Sequence, residues 1–319
     1  MTTRTETNSA VLFPNERILF QIKEGMCSRR CVYCYEKGKA SKEMPFEVLG
    51  HGFKMLKSLN IKEAELIGSE PTEYSKWDLL IQLAKENELG LTVYTSGLHL
   101  ERLDNDQVKG LIMHVMFEPD KAFMEGVMKL LDRGQFIYLR VNFDAETLKE
   151  KNIIHSFLKQ LPARYHTQVS LKYSFTAKTE DPALKFTDIA AFKRIKPEFL
   201  MFCKETHSLF PDVSMYSERP IFKCCFTPEE REDYAYAGLD SRCNMEYTIY
   251  KDSLIGLCPP VERLIPKRKI ETDEQMIRSV SELRREMQKL AKKPSFEECK
   301  SCEFSQDASC QGGCFSYKL

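Results

Sequence analysis

Short apolar runs alternate with amphipathic stretches along the first two thirds of the chain. Residues 17–23 (RILFQIK) are the first such run, ended by Glu24 and Gly25, and read as a buried strand. Residues 44–59 follow, with Val48, Gly52, Met55, Leu56 and Leu59 on one helical face. The rhythm then repeats. Strands are predicted at 64–67, 91–94, 112–117, 136–141 and 168–175, and helices at 76–85, 120–132, 153–161 and about 187–204. Phe123, Val127, Leu130 and Leu131 share the inward face of the 120–132 helix. Strands alternating with helices demand a parallel sheet joined by right-handed crossovers, so the pattern predicts an α/β fold. Such sheets carry their sites on the loops that leave the C-terminal ends of the strands.

From about His207 the alternation stops. Residues 247–250 and 254–257 read as a hairpin about the polar turn 251–253. Residues 272–290 read as an amphipathic helix, with Thr272 and Gln275 placed for a capping box. Met276, Val280, Leu283, Met287 and Leu290 are its core stripe. The expected organisation is an arm at 1–15, a core at 16–205 and a small cysteine-rich C-terminal domain at 206–319.

Charge and composition narrow the function. The chain has 47 basic and 47 acidic residues, so it lacks the basic excess that displaces counterions, and no nucleic-acid partner is expected. The run 266–269 (PKRK) reads as a solvated loop. The N-terminus is polar, without the apolar centre of a signal peptide. No run reaches the ~18 apolar residues of a membrane helix, so no membrane association is expected and the predicted location is cytoplasmic. Disulfides are uncommon there, and twelve cysteines are better explained by metal.

Three of those cysteines stand directly after the first strand. Cys27, Cys31 and Cys34 have C-x3-C-x2-C spacing, with Tyr33 just before the third. Three thiolates can hold three irons of a four-iron cube and leave the fourth open to a small chelating ligand. Four-cysteine ferredoxin runs close every iron. A structural zinc site draws on the same residue types.

This spacing resembles the signature of the radical S-adenosylmethionine (SAM) superfamily. The resemblance implies a partial (β/α)6 TIM-like barrel, and a [4Fe–4S] cluster bound by Cys27, Cys31 and Cys34 that holds SAM and cleaves it reductively to a 5′-deoxyadenosyl radical. Gly68-Ser69-Glu70-Pro71, at the end of the second predicted strand, stands where that family has Gly-Gly-Glu-Pro. Gly permits close backbone approach, a carboxylate pairs with SAM's ammonium, and Pro stiffens the turn. Thr95-Ser96-Gly97 ends the third strand, where the family often has Thr-Asn-Gly. By the same resemblance Tyr33, Gly68, Ser69, Glu70, Pro71, Thr95 and Ser96 are expected to contact SAM. The strand-end residues Glu118, Arg140 and Asn142 are further candidates for its ribose or carboxylate, with a buried structural polar group as the equal alternative. His114 is expected to be packed core or surface, and Cys203 a buried thiol.

The C-terminal order of hairpin, helix, Cys299-x2-Cys302 and Cys310-x3-Cys314 resembles the SPASM or Twitch domain, which holds auxiliary iron–sulfur clusters. Ser253 stands where that pattern has Gly, seven residues rather than five separate Cys302 from Cys310, and no further cysteine follows Cys314. The resemblance implies one or two auxiliary clusters. One would take Cys243, Cys258, Cys314 and either Cys224 or Cys225. A second would take Cys299, Cys302 and Cys310 with a fourth ligand left open. The Twitch alternative uses Cys243, Cys258, Cys299 and Cys302, and a zinc ribbon remains the plain structural reading. Of the adjacent pair Cys224 and Cys225, one is expected to bind iron and the other to face the substrate as a hydrogen-atom donor, or simply to be packed.

The implied reaction is hydrogen abstraction from a peptide or protein, leading to cross-linking, epimerisation or oxidation. The alternatives are dehydrogenation of a small carbohydrate-like alcohol and a non-enzymatic iron–sulfur or zinc protein. Flavodoxin or ferredoxin is the expected electron donor. With only a short arm before residue 17, either a leader peptide is read by a separate chain or the substrate is small.

Overall fold

The computed structural model describes residues 17–25, 27, 34, 38–143, 151–175, 188–239, 243, 246–261, 264–307, 309–314 and 317. The predicted arm at 1–15 lies outside these residues.

The sheet grows from β1 (Arg17–Glu24), whose end is met antiparallel by the two-residue β2 (Lys42–Glu43). A helix, α1 (Phe46–Ser58), carries the chain to β3 (Glu63–Gly68), and α2 (Trp77–Glu86) carries it on to β4 (Gly90–Thr95). The short α3 (Leu100–Leu103) leads to β5 (Val108–Met113), then α4 (Lys121–Asp132), β6 (Phe136–Phe143), α5 (Lys151–Gln160) and β7 (Val169–Phe175). Next come the long α6 (Ile189–Leu209) and β8 (Ser214–Ser217), which pairs parallel to β7. The one-turn α7 (Pro228–Asp233) precedes the hairpin β9 (Glu246–Ile249) and β10 (Leu254–Leu257). β11 (Arg268–Lys269), α8 (Asp273–Ala291) and α9 (Glu303–Gln306) follow.

The strand order is β11-β10-β9-β1-β3-β4-β5-β6-β7-β8. From β9 to β8 every neighbour is parallel. Among the described residues the edges β11 and β8 do not pair, so the barrel is open. No helix among those residues is long and apolar enough to cross a membrane.

Three expectations differ in detail. The strand predicted at 112–117 lies at Val108–Met113. Its register is set by Val108 against Leu91 and Met113 against Thr95, so the apolar stretch from His114 to Phe117 falls beyond the ladder as loop. The alternation also runs past residue 207. β8 adds another parallel strand, and β9 pairs parallel with β1, so the sheet is continuous across residue 205. Finally, Thr272 caps α8 as expected, accepting from Gln275 N, but the Gln275 side chain reaches Glu271 N instead of completing the box.

Each parallel strand has two unlike faces. Ile18, Phe20 and Ile22 of β1, Leu91 and Val93 of β4, Ile137, Leu139 and Val141 of β6, and Leu171 and Tyr173 of β7 join the helices in one apolar core. The intervening positions form the concave face and are largely polar: Arg17, Gln21, Glu65, Tyr94, Tyr138, Arg140, Asn142, Lys172, Ser174 and Tyr216. A packed barrel fills this face with branched aliphatic side chains. Here the interior is chemically equipped.

Candidate active site

The loop bearing Cys27, Cys31 and Cys34 is tied at both ends to the end of β1. Lys23 pairs with Glu43 and Glu24 with Lys42, closing its base. Gly25 opens it at φ +88°, and a Cβ there would stand 2.6 Å from the Ala40 backbone. The half-buried Cys27 and Cys34 are described; Cys31 and Tyr33 lie outside the described residues.

The Gly-Ser-Glu-Pro turn sits beside that base. Gly68 has φ +146°, and a Cβ would fall 2.1 Å from Lys23 O. Ser69 N donates to the same carbonyl at 3.0 Å. Glu70 caps the one-turn helix Pro71–Glu73, with Pro71 at the position where a missing N–H costs least. Its carboxylate is fully buried and accepts five hydrogen bonds. Oε1 receives Thr72 N, Thr72 Oγ1 and Thr95 Oγ1 at 3.3, 2.7 and 2.9 Å. Oε2 receives Ser96 N and Ser96 Oγ at 2.8 and 2.7 Å. Gly68, Ser69, Glu70, Pro71, Thr95 and Ser96 are therefore brought together, but through Glu70 itself. The carboxylate expected to meet an ammonium, and the two hydroxyls expected near SAM, are bonded to one another. What the turn leaves free is Ser69 Oγ, buried without a hydrogen-bond partner among the described residues.

The other candidates divide. Asn142, at the end of β6, bridges its neighbours: Ser174 Oγ donates to its Oδ1 at 2.5 Å, and its Nδ2 lies 3.3 Å from His114 Nε2. His114 thus belongs to the rim of the concave face rather than to plain core. Glu118 does not join this group. It is exposed, and Ser156 of α5 donates to its carboxylate. The β5 register explains this, since the strand ends at Met113 and Glu118 follows on the helical side. Arg140 faces inward but pairs with Glu218 at 2.8 Å.

Below the rim lies a group that the sequence did not single out. Arg17 pairs with Glu65 at 3.1 Å and also with Glu246. Lys172, 5% exposed, has its amine 6.0, 5.4 and 5.9 Å from the ring centroids of Tyr94, Tyr138 and Tyr216. Burial and the nearby Arg17 bring its pKa down to about 8, although Glu218 and Glu65 oppose them. The visible signal was Ser170-x-Lys172-x-Ser174, a polar phase in a strand whose other phase is apolar. An amine that sheds its proton more readily folded than unfolded makes wild-type stability rise with pH between about 8 and 10.5. Lys172→Met is expected to lose that rise. Urea denaturation at pH 7.5 and 10 checks it; equal pH dependence in both proteins would contradict the burial of a charged amine.

No family model matches the chain, and no curated protein matches it. Solved structures do. The chain superposes on Streptococcus suis SuiB bound to S-adenosylmethionine with TM-score 0.65 and 14% identity, over 95% of this chain and 73% of that one. It superposes on native anSMEcpe with bound AdoMet and Kp18Cys peptide with TM-score 0.63 and 15% identity, over 94% and 89%. The fold is that of the radical SAM enzymes. In this radical SAM fold the Cys27 loop, the Gly68–Pro71 turn and the Thr95–Gly97 turn all leave the same end of the parallel sheet.

The C-terminal cysteines lie against the barrel through aromatic packing. Phe222 meets Phe192 of α6 at 4.3 Å and Phe296 at 5.2 Å, and Tyr317 meets Phe192 at 5.6 Å. The sulfurs form two groups. Cys258 interacts with Cys243 and Cys314, and burial raises its pKa. Cys224 lies against Cys225 and Cys302, and the neighbouring Cys225 thiol lowers its pKa. Cys299 senses Cys224 and Cys310. Cys203 is a fully buried thiol, as expected. Among the described residues no three His, Cys, Asp or Glu side chains converge tightly enough to hold a single metal ion.

Proposed function

We propose that the chain is a radical SAM enzyme acting on a peptide. The observation that carries this is the convergence at one strand end. A loop with three cysteines is clamped at its base beside a glycine turn that only glycine can form, and that turn is cross-linked to Thr95 and Ser96. The residues present fit the implied cofactor. Gly68 permits close approach and Ser69 Oγ offers an unused donor for SAM. A [4Fe–4S] cluster on Cys27, Cys31 and Cys34 with SAM on its open iron would supply reductive SAM cleavage and hydrogen abstraction. The chain's own part is positioning. Glu70 fixes the two turns, and the largely polar concave face suits a polar substrate.

A peptide is favoured because SuiB has been solved bound to precursor peptide SuiA, at 14% identity, and anSMEcpe with peptides, and both share this fold. A flavodoxin or ferredoxin would supply the electron, and a separate chain would present any leader peptide. The cytoplasm is the matching location. The C-terminal sulfur groups would hold one or two auxiliary clusters.

Anaerobic reconstitution tests the reading. The full chain is expected to form 5′-deoxyadenosine under dithionite, and the Cys27→Ala/Cys31→Ala/Cys34→Ala triple variant none. Iron falling from about twelve to about eight means two auxiliary clusters, and from about eight to about four means one. Unchanged iron in the triple variant, or zinc in the sites, overturns the proposal.

A further inference from the structure

The adjacent cysteines 224 and 225 lie on a single 3-10 turn, Lys223–Cys225, where successive side chains point about 120° apart. The two thiols nevertheless touch one another and share Lys193 as a neighbour, and they differ in what lies beyond. Cys225 is 4% exposed and turned to the core, where Lys193 and Lys196 of α6 are the charges beyond Cys224 that act on it. Cys224 is half-buried and lies toward the chain end, with Cys302 beside it and Cys299 nearby.

Packing independent of the sulfurs fixes that direction. Phe222, just before the turn, packs against Phe296, just before Cys299, with the rings tilted and 5.2 Å apart. Lys223 Nζ lies 4.9 Å over the ring of Phe304, just after Cys302, and Arg231 lies 5.5 Å over the same ring. Cys310 N donates to Phe304 O at 2.8 Å, which folds Cys310 back onto this group. Gly312 N then donates to Cys310 Sγ at 3.4 Å, a bond that suits a thiolate.

Cys314 leaves for the other group at Gly312 and Gly313, both at φ +72°. A Cβ on Gly313 would lie 2.5 Å from the Phe222 ring, so the same contact that seats the Cys224 turn divides the two sets.

We propose that Cys224, Cys299, Cys302 and Cys310 form a closed four-thiolate site for one auxiliary iron–sulfur cluster, and that Cys225 ligates no iron. This rests on the radical SAM reading and supplies the fourth ligand that the spacing of Cys299, Cys302 and Cys310 left open. Four thiolates leave no iron free for substrate, so the cluster at this site passes electrons only. It also frees Cys225 from metal, and its place in the core makes it a packed thiol rather than a hydrogen-atom donor.

The test is iron content with Mössbauer and EPR spectroscopy of the reconstituted full chain. Cys224→Ala is expected to lose about four irons, or to keep a three-iron remnant visible by EPR. Cys225→Ala keeps all its iron and an unchanged spectrum. Because Cys225 is buried, Cys225→Val is a second variant that preserves its volume, and circular dichroism monitors folding. Iron loss in a folded Cys225 variant overturns the assignment, as does full iron in Cys224→Ala. A Cys299→Ala/Cys302→Ala double variant separates the two levels. If it too keeps all iron, no cluster exists here and the auxiliary-cluster part of the proposed function falls. Dependence of 5′-deoxyadenosine formation on Cys27, Cys31 and Cys34 tests the radical SAM reading apart from either result.

Discussion

Gly68→Ala is expected to abolish SAM binding and to lower unfolding stability by several kcal/mol, whereas Ser69→Ala leaves stability unchanged. At position 68 the cost has two sources. A φ of +146° belongs to a region that only glycine populates freely. The added methyl would also sit 2.1 Å from Lys23 O, a backbone atom that cannot swing aside because it accepts Ser69 N. Relief requires moving β3 away from the end of β1, which is where the three-cysteine loop is clamped. At position 69 no hydrogen bond among the described residues is lost, since the hydroxyl has no partner among them. If that hydroxyl is kept for SAM, its removal weakens SAM binding by the worth of one hydrogen bond, about 1 kcal/mol or roughly fivefold. Isothermal titration with SAM and urea denaturation of both variants give the four numbers. A Gly68→Ala protein that binds SAM normally would refute the role given to this turn.

That contrast also shows what was legible in the sequence. The alternation of apolar runs and amphipathic stretches dictated the parallel sheet, because each strand needs a helix to cover its outer face. The three-cysteine loop and the Gly-Ser-Glu-Pro turn were legible as local spacing, and the structure sets the described parts of both at one strand end. Glu70 was not legible in the same way. Its residue type suggested a charge offered to a ligand, while its burial and five donors make it a rivet between two turns. Nothing local tells these apart, because the donors on Thr95 and Ser96 come from another strand. Lys172 was hidden for the opposite reason. Its strand was recognised, but which phase faces the barrel interior depends on what covers the other side. Strand β8 escaped because four residues, SMYS, carry too little pattern. Its place beside β7 depends on pairings with Ser170 to Tyr173, far away in the chain.

The barrel interior yields the largest expected stability effect. Arg140→Met is expected to destabilise the fold at pH 7 by about 3–5 kcal/mol, the usual cost of stranding one partner of a buried ion pair. Glu218, with a side chain 6% exposed, is the partner left behind. Burial is the largest single influence and would raise its pKa, but Arg140, Lys172, Arg219 and Arg17 together outweigh it and hold it at about 2. A carboxylate depressed in the folded state contributes stability above its unfolded pKa of about 4.3 and loses it as pH falls toward the folded value. The gap between wild type and Arg140→Met should therefore be full at pH 7 and shrink as the pH falls from about 4 toward 2. Urea denaturation at pH 7 and pH 3 measures it. The double variant Arg140→Met/Glu218→Gln is expected to recover part of the loss, because it removes the stranded charge along with its partner. A gap unchanged at pH 3 would mean that Arg140 acts by packing rather than by charge. The polar group above which the SAM site is proposed to sit would then be held together by its tyrosines, with Lys172 as the cation they surround.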